Sequence, residues 1–375
     1  MKSPGCGAAA GATAADARRE FGVLRRYHKP LIFLIAVGLS LTLIYRAAGP
    51  AIIPAGAGNP FNRTAGGPLD VVDLVSSSIF SFAISILCIS HQENEGERLG
   101  RILKAAAMED NTVILTTLNA AWASENSIVD VFLESFRLGN GTRWLLDHLV
   151  IVAFDKKAYT RCVAVHTHCF ALSTEGVDFS GEEEFMSDGY LKMMWRRIDF
   201  LRLVLEKGHN FIFTDTDIMW FRNPLPRFFL DGDFQIACDQ FNGNPFDRNN
   251  RPNGGFNYVK SNNRTISFYK FWYLSREKHP RYHDQDVLNM IKFDPLIEQI
   301  GLQMRFLSTA YFGGLCQPSR DFNVVCTMHA NCCIGLHRKM DDLRVMLEDW
   351  KRYMAMPPAQ KISNKASWSV PKNCR

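Results

Sequence analysis

Two aspartates separated by one residue end an apolar stretch near the middle of the chain. In FIFTDTDIMWFRNP, Asp215 and Asp217 follow the apolar residues 211–213. Residues one apart on a strand point to the same face, so both carboxylates are expected to converge on one point. Unpaired, they would repel each other and lose hydration. A divalent cation between them would remove both costs, which makes the pair a candidate metal site.

The surrounding pattern predicts a sheet that positions this pair. Apolar runs in NTVILTTLN, HLVIVAFD and NFIFTDTD alternate with the helical segments LGRILKAAAMED, AWASENSIVDVFLESFRLG and FMSDGYLKMMWRRIDFLRLVLEKG. Strands that alternate with long helices predict an α/β fold with a parallel, covered sheet. Ligands of such sheets collect at the carboxyl ends of the strands. Asn119, Asp155 and the Asp215/Asp217 pair all lie at predicted strand ends.

Composition and charge limit the possible functions. The chain has 375 residues, of which 47% are hydrophobic and 22% charged, and this is enough apolar material for one large domain or two small ones. The formal net charge of +5 is modest, and no tract interleaves basic with aromatic residues. Nucleic acid is therefore not an expected partner.

An uncharged segment near the N-terminus predicts a membrane anchor. Residues 30–45 carry no charge; five Lys/Arg stand in the 15 residues before them and one in the 15 after. The positive-inside rule places the N-terminus in the cytoplasm and the rest in the lumen. The segment is shorter than the roughly 20 residues of a typical span, and a core helix and a cleavable signal peptide are the alternatives. We expect a single-pass type II protein with a disordered cytoplasmic tail at 1–29, an anchor at 30–48 and a stem at 49–100.

A second apolar run, 74–90, would return the chain to the cytoplasm if it crossed the membrane. Glycosylation sequons at Asn62, Asn140 and Asn263, two of them beyond this run, favour the lumen for the rest of the chain. So do the eight of ten cysteines that follow the run. We therefore expect 74–90 to belong to the stem or to lie against the membrane.

The C-terminal part is rich in cysteine. No C-x-x-C pair is present, and an oxidising lumen favours disulfides over zinc, which is the alternative. We expect the luminal cysteines other than Cys88 to be largely disulfide-bonded, with four of them close together beside His329. Those four are Cys316, Cys326, Cys332 and Cys333; Cys374 follows near the end of the chain.

A longer set of segments carries a family resemblance. In order, TVILTTLNAAWA, FLESFRLG, HLVIVAFDKKAYTRC, MMWRRIDFL, FIFTDTDIMWFRNP, RPNGGFNYVKSNNRTISFYKFWY, HDQDVLN and CTMHANCC resemble the plant nucleotide-diphospho-sugar transferase family. That family includes retaining xylosyl- and arabinosyltransferases of cell-wall polymers. The resemblance covers about residues 111–353 and implies a catalytic domain at 101–357, followed by a tail at 358–375.

The resemblance also implies a fold and a reaction. The fold is glycosyltransferase A-type: Rossmann-like, with a mostly parallel central sheet flanked by helices. The enzyme would stand in the Golgi membrane with a luminal catalytic domain. It would use Mn²⁺ or Mg²⁺ and a UDP-sugar donor, with xylose, arabinose and galactose all compatible. It would transfer the sugar with retention of configuration to a glycan or glycoprotein acceptor.

Metal ligands and phosphate contacts follow by resemblance. Asp217 would ligate the metal directly, Asp215 would bridge metal and ribose, and His329 would be the third ligand. Lys339 would hold the diphosphate, as a lysine that follows the histidine does in related galactosyltransferases. A turn closed by an Asx hydrogen bond is the alternative for the two aspartates, and a packed histidine is the alternative for His329.

Sugar contacts follow in the same way. Asn253 in RPNGGFNYV would bind a sugar hydroxyl, with a plain hairpin turn as the alternative. Asp284 and Asp286 would bind sugar hydroxyls beside Gln285, which would lie under the anomeric carbon; a helix N-cap at Asp284 is the alternative. Arg197 would bind the donor unless it is a solvated helix charge.

Two other functions are weighed against transfer. A haloacid-dehalogenase-type phosphatase also ends a strand in Asp-x-Asp, but it requires Thr or Val where this chain has Met219. A non-catalytic luminal lectin or scaffold on the same fold would not need Asp215, Asp217, Gln285 and His329 together. The sequence therefore favours a transferase.

Overall fold

The computed structural model describes residues 94–374 except 173, 175, 364 and 365. The predicted cytoplasmic tail, the anchor at 30–48, the run at 74–90 and all but the last residues of the predicted stem lie outside the described residues. Within the described residues, no helix has both the length and the apolar character needed to cross a bilayer.

The described chain alternates strands and helices. Its strands are β1 (Thr112–Leu118), β2 (Leu149–Ala153), β3 (Cys169–Ala171), β4 (Asn210–Thr214), β5 (Ile218–Trp220), β6 (Phe234–Gln240), β7 (Arg251–Val259), β8 (Met304–Phe306), β9 (Phe312–Gly314) and β10 (Thr327–His329). Its α-helices are α1 (Glu95–Ala106), α2 (Ile128–Leu138), α3 (Lys156–Val165), α4 (Asp188–Glu206), α5 (Asn263–Ser275), α6 (Asp284–Ile291), α7 (Pro295–Gln299), α8 (Leu336–Ala355) and α9 (Pro358–Ile362).

Seven strands form the central sheet, in the order β3-β2-β1-β4-β7-β6-β8. Six of them run in the same direction, and β7 is antiparallel to both of its neighbours. The prediction of an α/β fold with a mostly parallel sheet is confirmed. Because β4 and β6 are parallel, their carboxyl ends lie at the same edge of the sheet, with the start of β7 between them.

Both faces of the sheet are covered, which explains why its strands read as unbroken apolar runs. In β1, Ile114 and Leu118 belong to one core cluster, whereas Val113 and Leu115 belong to the other. All four side chains are buried. The sheet is therefore packed on both faces, and this packing holds the residues at its carboxyl edge in position.

A second sheet, β5-β10-β9, stands beside the carboxyl end of β4. Strand β10 pairs antiparallel with β5 and parallel with β9. In this register His329 lies opposite Ile218, the residue after Asp217. Backbone pairing therefore brings the last residue of β10 to the two aspartates.

One predicted helix is shorter than its pattern suggested. The segment from Ala121 to Gly139 was expected to be a single helix, but α2 begins only at Ile128. The side chain of Asn119 accepts a hydrogen bond from Trp122 N and caps a short 3₁₀ turn, and Asn126 adopts a φ of 58°. A left-handed residue interrupts a right-handed helix, so the helix starts after it.

The last residues are held against α8. The carboxylate of Asp342 accepts backbone N–H bonds from Lys372, Asn373 and Cys374 at 3.1 to 3.2 Å. Cys374 is also disulfide-bonded to Cys333. The C-terminus is thus covalently tied to the residues just before α8.

Three disulfides bear out most of the expectation for the cysteines. The pairs are Cys162–Cys169, Cys316–Cys332 and Cys333–Cys374, so zinc is not the partner of these cysteines. The expectation was wrong for Cys326, which is a buried free thiol, as is Cys238. Burial raises the pKa of Cys326 to about 11, which keeps it protonated and poorly reactive.

This pairing predicts a labelling pattern. Alkylation of the denatured, unreduced protein should modify Cys238 and Cys326 and leave the six bonded cysteines unmodified, because only free thiols react. Peptide mass spectrometry before and after reduction measures this. Label on Cys316 or Cys332 before reduction would contradict the pairing that encloses β10.

Candidate active site

The end of β4 and the start of β5 place the two aspartates. Asp215 N donates to Gly255 O at 2.7 Å, which ties the turn to β7. Asp217 is only 2% exposed. Asp215, Asp217 and His329 each offer one ligand atom, and these three atoms lie within 4.8 Å of one another. The structure therefore brings together the three residues predicted as metal ligands.

Asp217 has two cationic partners. Its Oδ1 lies 3.1 Å from His329 Nε2, and its Oδ2 lies 2.6 Å from Lys339 Nζ, near the start of α8. Burial raises the pKa of Asp217, but the charges of Lys339 and His329 outweigh burial, and the net direction is strongly downward. Asp217 is thus an anion that two nearby donors hold in place.

Gly255 leaves the space that this cluster occupies. A Cβ at Gly255 would lie 2.5 Å from Asp215 Oδ2 and 2.7 Å from His329 Cε1. No side chain fits at such distances, so glycine is required by close approach. The hairpin-turn alternative for RPNGGFNYV was wrong, because these residues form all of strand β7.

Arg197 is buried under the cluster and joins two carboxylates. Its guanidinium lies 2.9 Å from Asp215 Oδ1 and 2.6 Å from Asp284 Oδ2, and its side chain is 5% exposed. The alternative of a solvated helix charge was therefore wrong. The guanidinium packs over the ring of Phe213, 4.9 Å from its centroid.

The pKa values of the two carboxyl groups that Arg197 joins shift in opposite directions. Burial raises the pKa of Asp284, but Arg197 and then His283 lower it and together outweigh burial, which brings that pKa to about 2. Burial raises the pKa of Asp215, Arg197 opposes this, Asp217 adds to it, and the net direction is upward. A cation bound between Asp215 and Asp217 would remove the repulsion that contributes to this rise.

The segment HDQDVLN is a helix start, but its cap differs from the expected one. The N-cap of α6 is His283, whose Nδ1 accepts from Gln285 N, so the N-cap alternative for Asp284 was wrong. Asp284 is 1% exposed and lies against Arg197. Asp286 is half-exposed and lies 3.4 Å from His283 Nε2. The structure brings Asp284 to Arg197, whereas the contact of Asp286 is with His283, the N-cap of the same helix.

Gln285 and Asn253 are joined by a residue that the sequence reading missed. Asp239, near the end of β6, accepts hydrogen bonds from Gln285 Nε2 at 2.9 Å and from Asn253 Nδ2 at 2.8 Å. Asn331 Nδ2 donates to the same carboxylate at 2.8 Å. Gln285 Oε1 in turn accepts from Gly254 N at 3.0 Å. Both ends of the Gln285 amide are therefore fixed.

The signal for Asp239 was present in the sequence. DFQIACDQ is another apolar run that ends on a carboxylate, as in the stretch that ends on Asp215. The converse error concerns Asn119 and Asp155, which end strands but serve local structure. Asn119 donates to Phe179 O and Gly181 O, and Asp155 caps α3 by accepting from Ala158 N.

The donor set fits a divalent cation. Two carboxylates and one imidazole converge, the carboxylate of Asp217 is ionised, and glycine at 255 keeps the space beside them free of a side chain. Oxygen ligands suit Mg²⁺ and Mn²⁺, and a histidine nitrogen suits first-row transition metals. These residues would hold the cation at the carboxyl edge of the sheet.

This fold, with an acidic and cationic cluster at its carboxyl edge, is that of a glycosyltransferase that uses nucleotide sugars. The chain belongs to the nucleotide-diphospho-sugar transferase family, whose profile matches residues 144–343. The family implies a nucleotide-sugar donor and a glycan acceptor, so the predicted enzyme class and the predicted family are both confirmed.

Individual relatives say less about the reaction than the family does. Two uncharacterised Arabidopsis thaliana proteins match: At4g15970 is 50% identical over 76% of this chain and 77% of its own length, and At1g28695 is 45% identical over 67% and 77%. The Arabidopsis beta-arabinofuranosyltransferase RAY1 is 37% identical over 67 residues, which are 17% of this chain and 12% of that protein. Mouse xyloside xylosyltransferase 1 superposes with a TM-score of 0.38 and 14% identity, over 59% of this chain and 98% of that one. A likeness of that size carries no functional argument.

Proposed function

We propose that this enzyme transfers a pentose or galactose from its UDP-sugar to a cell-wall glycan or glycoprotein, with Mn²⁺ and with retention of configuration. The observation that carries the proposal is the convergence of Asp215, Asp217 and His329 within 4.8 Å. Lys339 contacts the carboxylate of Asp217 in the same cluster. The short match to an arabinofuranosyltransferase supports a pentose among the donors.

Each residue of the cluster has a task in this reaction. When bound, the cation would neutralise the diphosphate as its bond to the sugar breaks. Lys339 would exchange its contact with Asp217 for the diphosphate, since the cation then satisfies that carboxylate. Arg197 keeps Asp215 and Asp284 at fixed positions, and a ribose or sugar hydroxyl can bond to the part of Asp215 that remains exposed.

The bonds change at one carbon. The bond from the anomeric carbon to the diphosphate oxygen breaks, and its electron pair leaves with UDP. A bond from the acceptor hydroxyl oxygen to the same carbon forms, and the hydroxyl proton passes to the departing phosphate. Gln285, fixed at both ends of its amide, would stand beside that carbon and stabilise its positive charge in the transition state.

A donor panel tests the proposal. The full chain is incubated with UDP-xylose, UDP-arabinose and UDP-galactose, with Mn²⁺ or with a chelator, and release of UDP is measured. We expect Mn²⁺-dependent hydrolysis of at least one donor, and NMR of the released sugar, recorded before it mutarotates, should show the donor's anomeric configuration. Cleavage of phosphomonoesters instead, or no release from any donor, would overturn the proposal.

Gln285→Ala is expected to separate binding from turnover. The side chain is hydrogen-bonded to Gly254 and Asp239, and neither is a predicted metal ligand, so UDP affinity with Mn²⁺ should change by less than about threefold. Transfer should slow by about a hundredfold, as for an interaction made mainly in the transition state. Asn289→Ala, one turn later on α6, is the control. Equal losses in UDP affinity and turnover would contradict this role.

We also propose that the enzyme is anchored in the Golgi membrane with its catalytic domain in the lumen. The three disulfides favour an oxidising compartment, and the Lys/Arg asymmetry around residues 30–45 favours this orientation. Protease treatment of sealed microsomes tests it. A C-terminal tag that is digested without detergent would refute a luminal domain.

A further inference from the structure

A cavity of about 450 Å³ opens at the carboxyl edge of the sheet, where β6 ends and β7 begins. Its walls are the end of β6, the start of β7 and the loop that carries Cys316 and Gln317. Gln240 and Arg251 face each other across β6 and β7. The cavity therefore lies at the edge where this fold keeps its ligands.

The walls of this cavity are fixed by hydrogen bonds and by a disulfide. Gln317 Oε1 accepts from Phe241 N at 2.6 Å, and Gln317 Nε2 donates to Phe241 O at 3.3 Å. Cys316 is bonded to Cys332, whose loop follows β10. These contacts join three separate parts of the chain, so the cavity is a formed feature of the fold.

Asp239 connects the cavity to the reacting centre. It directly precedes Gln240 in β6, and its Oδ1 lies 3.5 Å from Cys316 Sγ, so it lies next to two of the residues that line the cavity. On its other side it holds the amides of Gln285 and Asn253. A sugar in this cavity would therefore lie on one side of the Asp239 carboxylate, and a donor sugar beside Gln285 and Asn253 would lie on the other.

The lining has the chemistry of a site for an acidic sugar. Among the described residues that line the cavity, most carry amides, Phe241 offers an aromatic face, and none is a carboxylate. Arg251 is exposed at the cavity and forms no ion pair with any described residue. Arginine matches a carboxylate with two parallel hydrogen bonds.

We propose that this cavity is the acceptor subsite, and that it takes a glycan whose sugar carries a carboxylate, a uronic acid, which Arg251 binds. The proposal rests on the transferase function proposed above. Amides at the wall bond to ring hydroxyls, and Phe241 packs against the apolar face of the sugar. Asp239, already bonded by Gln285 and Asn253, then separates acceptor from donor.

Titration with matched oligosaccharides tests this inference. The full chain is saturated with UDP and Mn²⁺ and titrated with a trisaccharide of galacturonic acid and with a neutral trisaccharide of galactose. We expect the charged probe to bind about tenfold more tightly, as one bidentate ion pair allows. Arg251→Gln should remove this preference. Lys104→Gln, which removes one positive charge from α1, should keep it.

Each outcome is decisive. Equal binding of the two probes, binding of neither, or an unchanged preference in Arg251→Gln would overturn the acceptor assignment. Loss of the preference in Lys104→Gln as well would show a general charge effect and would also overturn it. A separate UDP titration of the same chains, with and without Mn²⁺ and before any UDP is added, reports on the donor site, so failure of the transferase function would appear as absent Mn²⁺-dependent UDP binding in the parent chain.

Discussion

Asp217→Asn should lower turnover by at least about a hundredfold, because it removes the charge that would hold the cation most directly. The substitution keeps the shape of the side chain. UDP affinity should fall in the presence of Mn²⁺ and should change little in its absence. The measurement is UDP affinity with and without Mn²⁺, beside donor hydrolysis. Asp155→Asn is a matched control, since Asp155 also ends a strand at this edge of the sheet but caps α3.

Folding of the metal-free Asp217→Asn variant should also weaken. From the sequence alone, the substitution would be expected to stabilise the fold by relieving repulsion with Asp215. In the structure, however, Asp217 is paired with Lys339 and His329, and its pKa is lowered. A carboxyl group with a lowered pKa stabilises the fold above its unfolded pKa, and this stability is lost as pH falls through the folded value. A variant that binds Mn²⁺-UDP as tightly as the parent would exclude the two aspartates as a metal site.

Arg197→Met should be the most destabilising substitution in the site, at about 3–5 kcal/mol of unfolding free energy. Methionine fills similar volume but removes the guanidinium that lies 2.6 Å from the buried Asp284 and 2.9 Å from Asp215, and Asp284 then keeps the longer contact with His283 at 3.5 Å. Chemical denaturation measures the loss. Arg202→Met on the same helix breaks two ion pairs nearer the surface, with Asp199 and Glu206, and should cost less than about 1 kcal/mol.

The loss in Arg197→Met should shrink on acidification. In the parent, the Asp284 pKa of about 2 means that its stabilisation is kept down to strongly acidic pH. In the variant, the charge of Arg197 no longer opposes burial and His283 remains to do so, so that pKa should rise; the penalty is present above the raised value and disappears as pH falls through it. Arg197→Met combined with Asp284→Asn should recover part of the stability. No recovery and no pH dependence would contradict an uncompensated buried charge.

The parts of the site that follow from local pattern could be predicted from the sequence. A strand that ends on Asp-x-Asp places Asp215 and Asp217 at the sheet edge by geometry alone, and the family resemblance supplied His329 and Lys339. Arg197 was a candidate, but helix periodicity could not decide its burial. Its partners lie 18 and 87 residues away, and such pairing is decided by tertiary packing.

Asp239 shows the other limit. Its run ends in a carboxylate like that of Asp215, yet the meaning of this carboxylate comes from Asn253, Gln285 and Asn331, which three other segments supply. Cys326 was misread for a similar reason. Spacing along the chain grouped it with its neighbours, but the fold buries its thiol and leaves it outside the disulfides.

The residues that hold the C-terminus against α8 are synthesised after most of the candidate site. Asp217 and Lys339 are 122 residues apart, and Cys374, which closes the last disulfide, comes later still. At the usual pace of translation, on the order of 10 s passes between synthesis of the carboxylates and synthesis of their lysine partner. During that interval the nascent chain carries Asp215 and Asp217 without Lys339, and the disulfide to Cys374 can form only after Lys339 has been made.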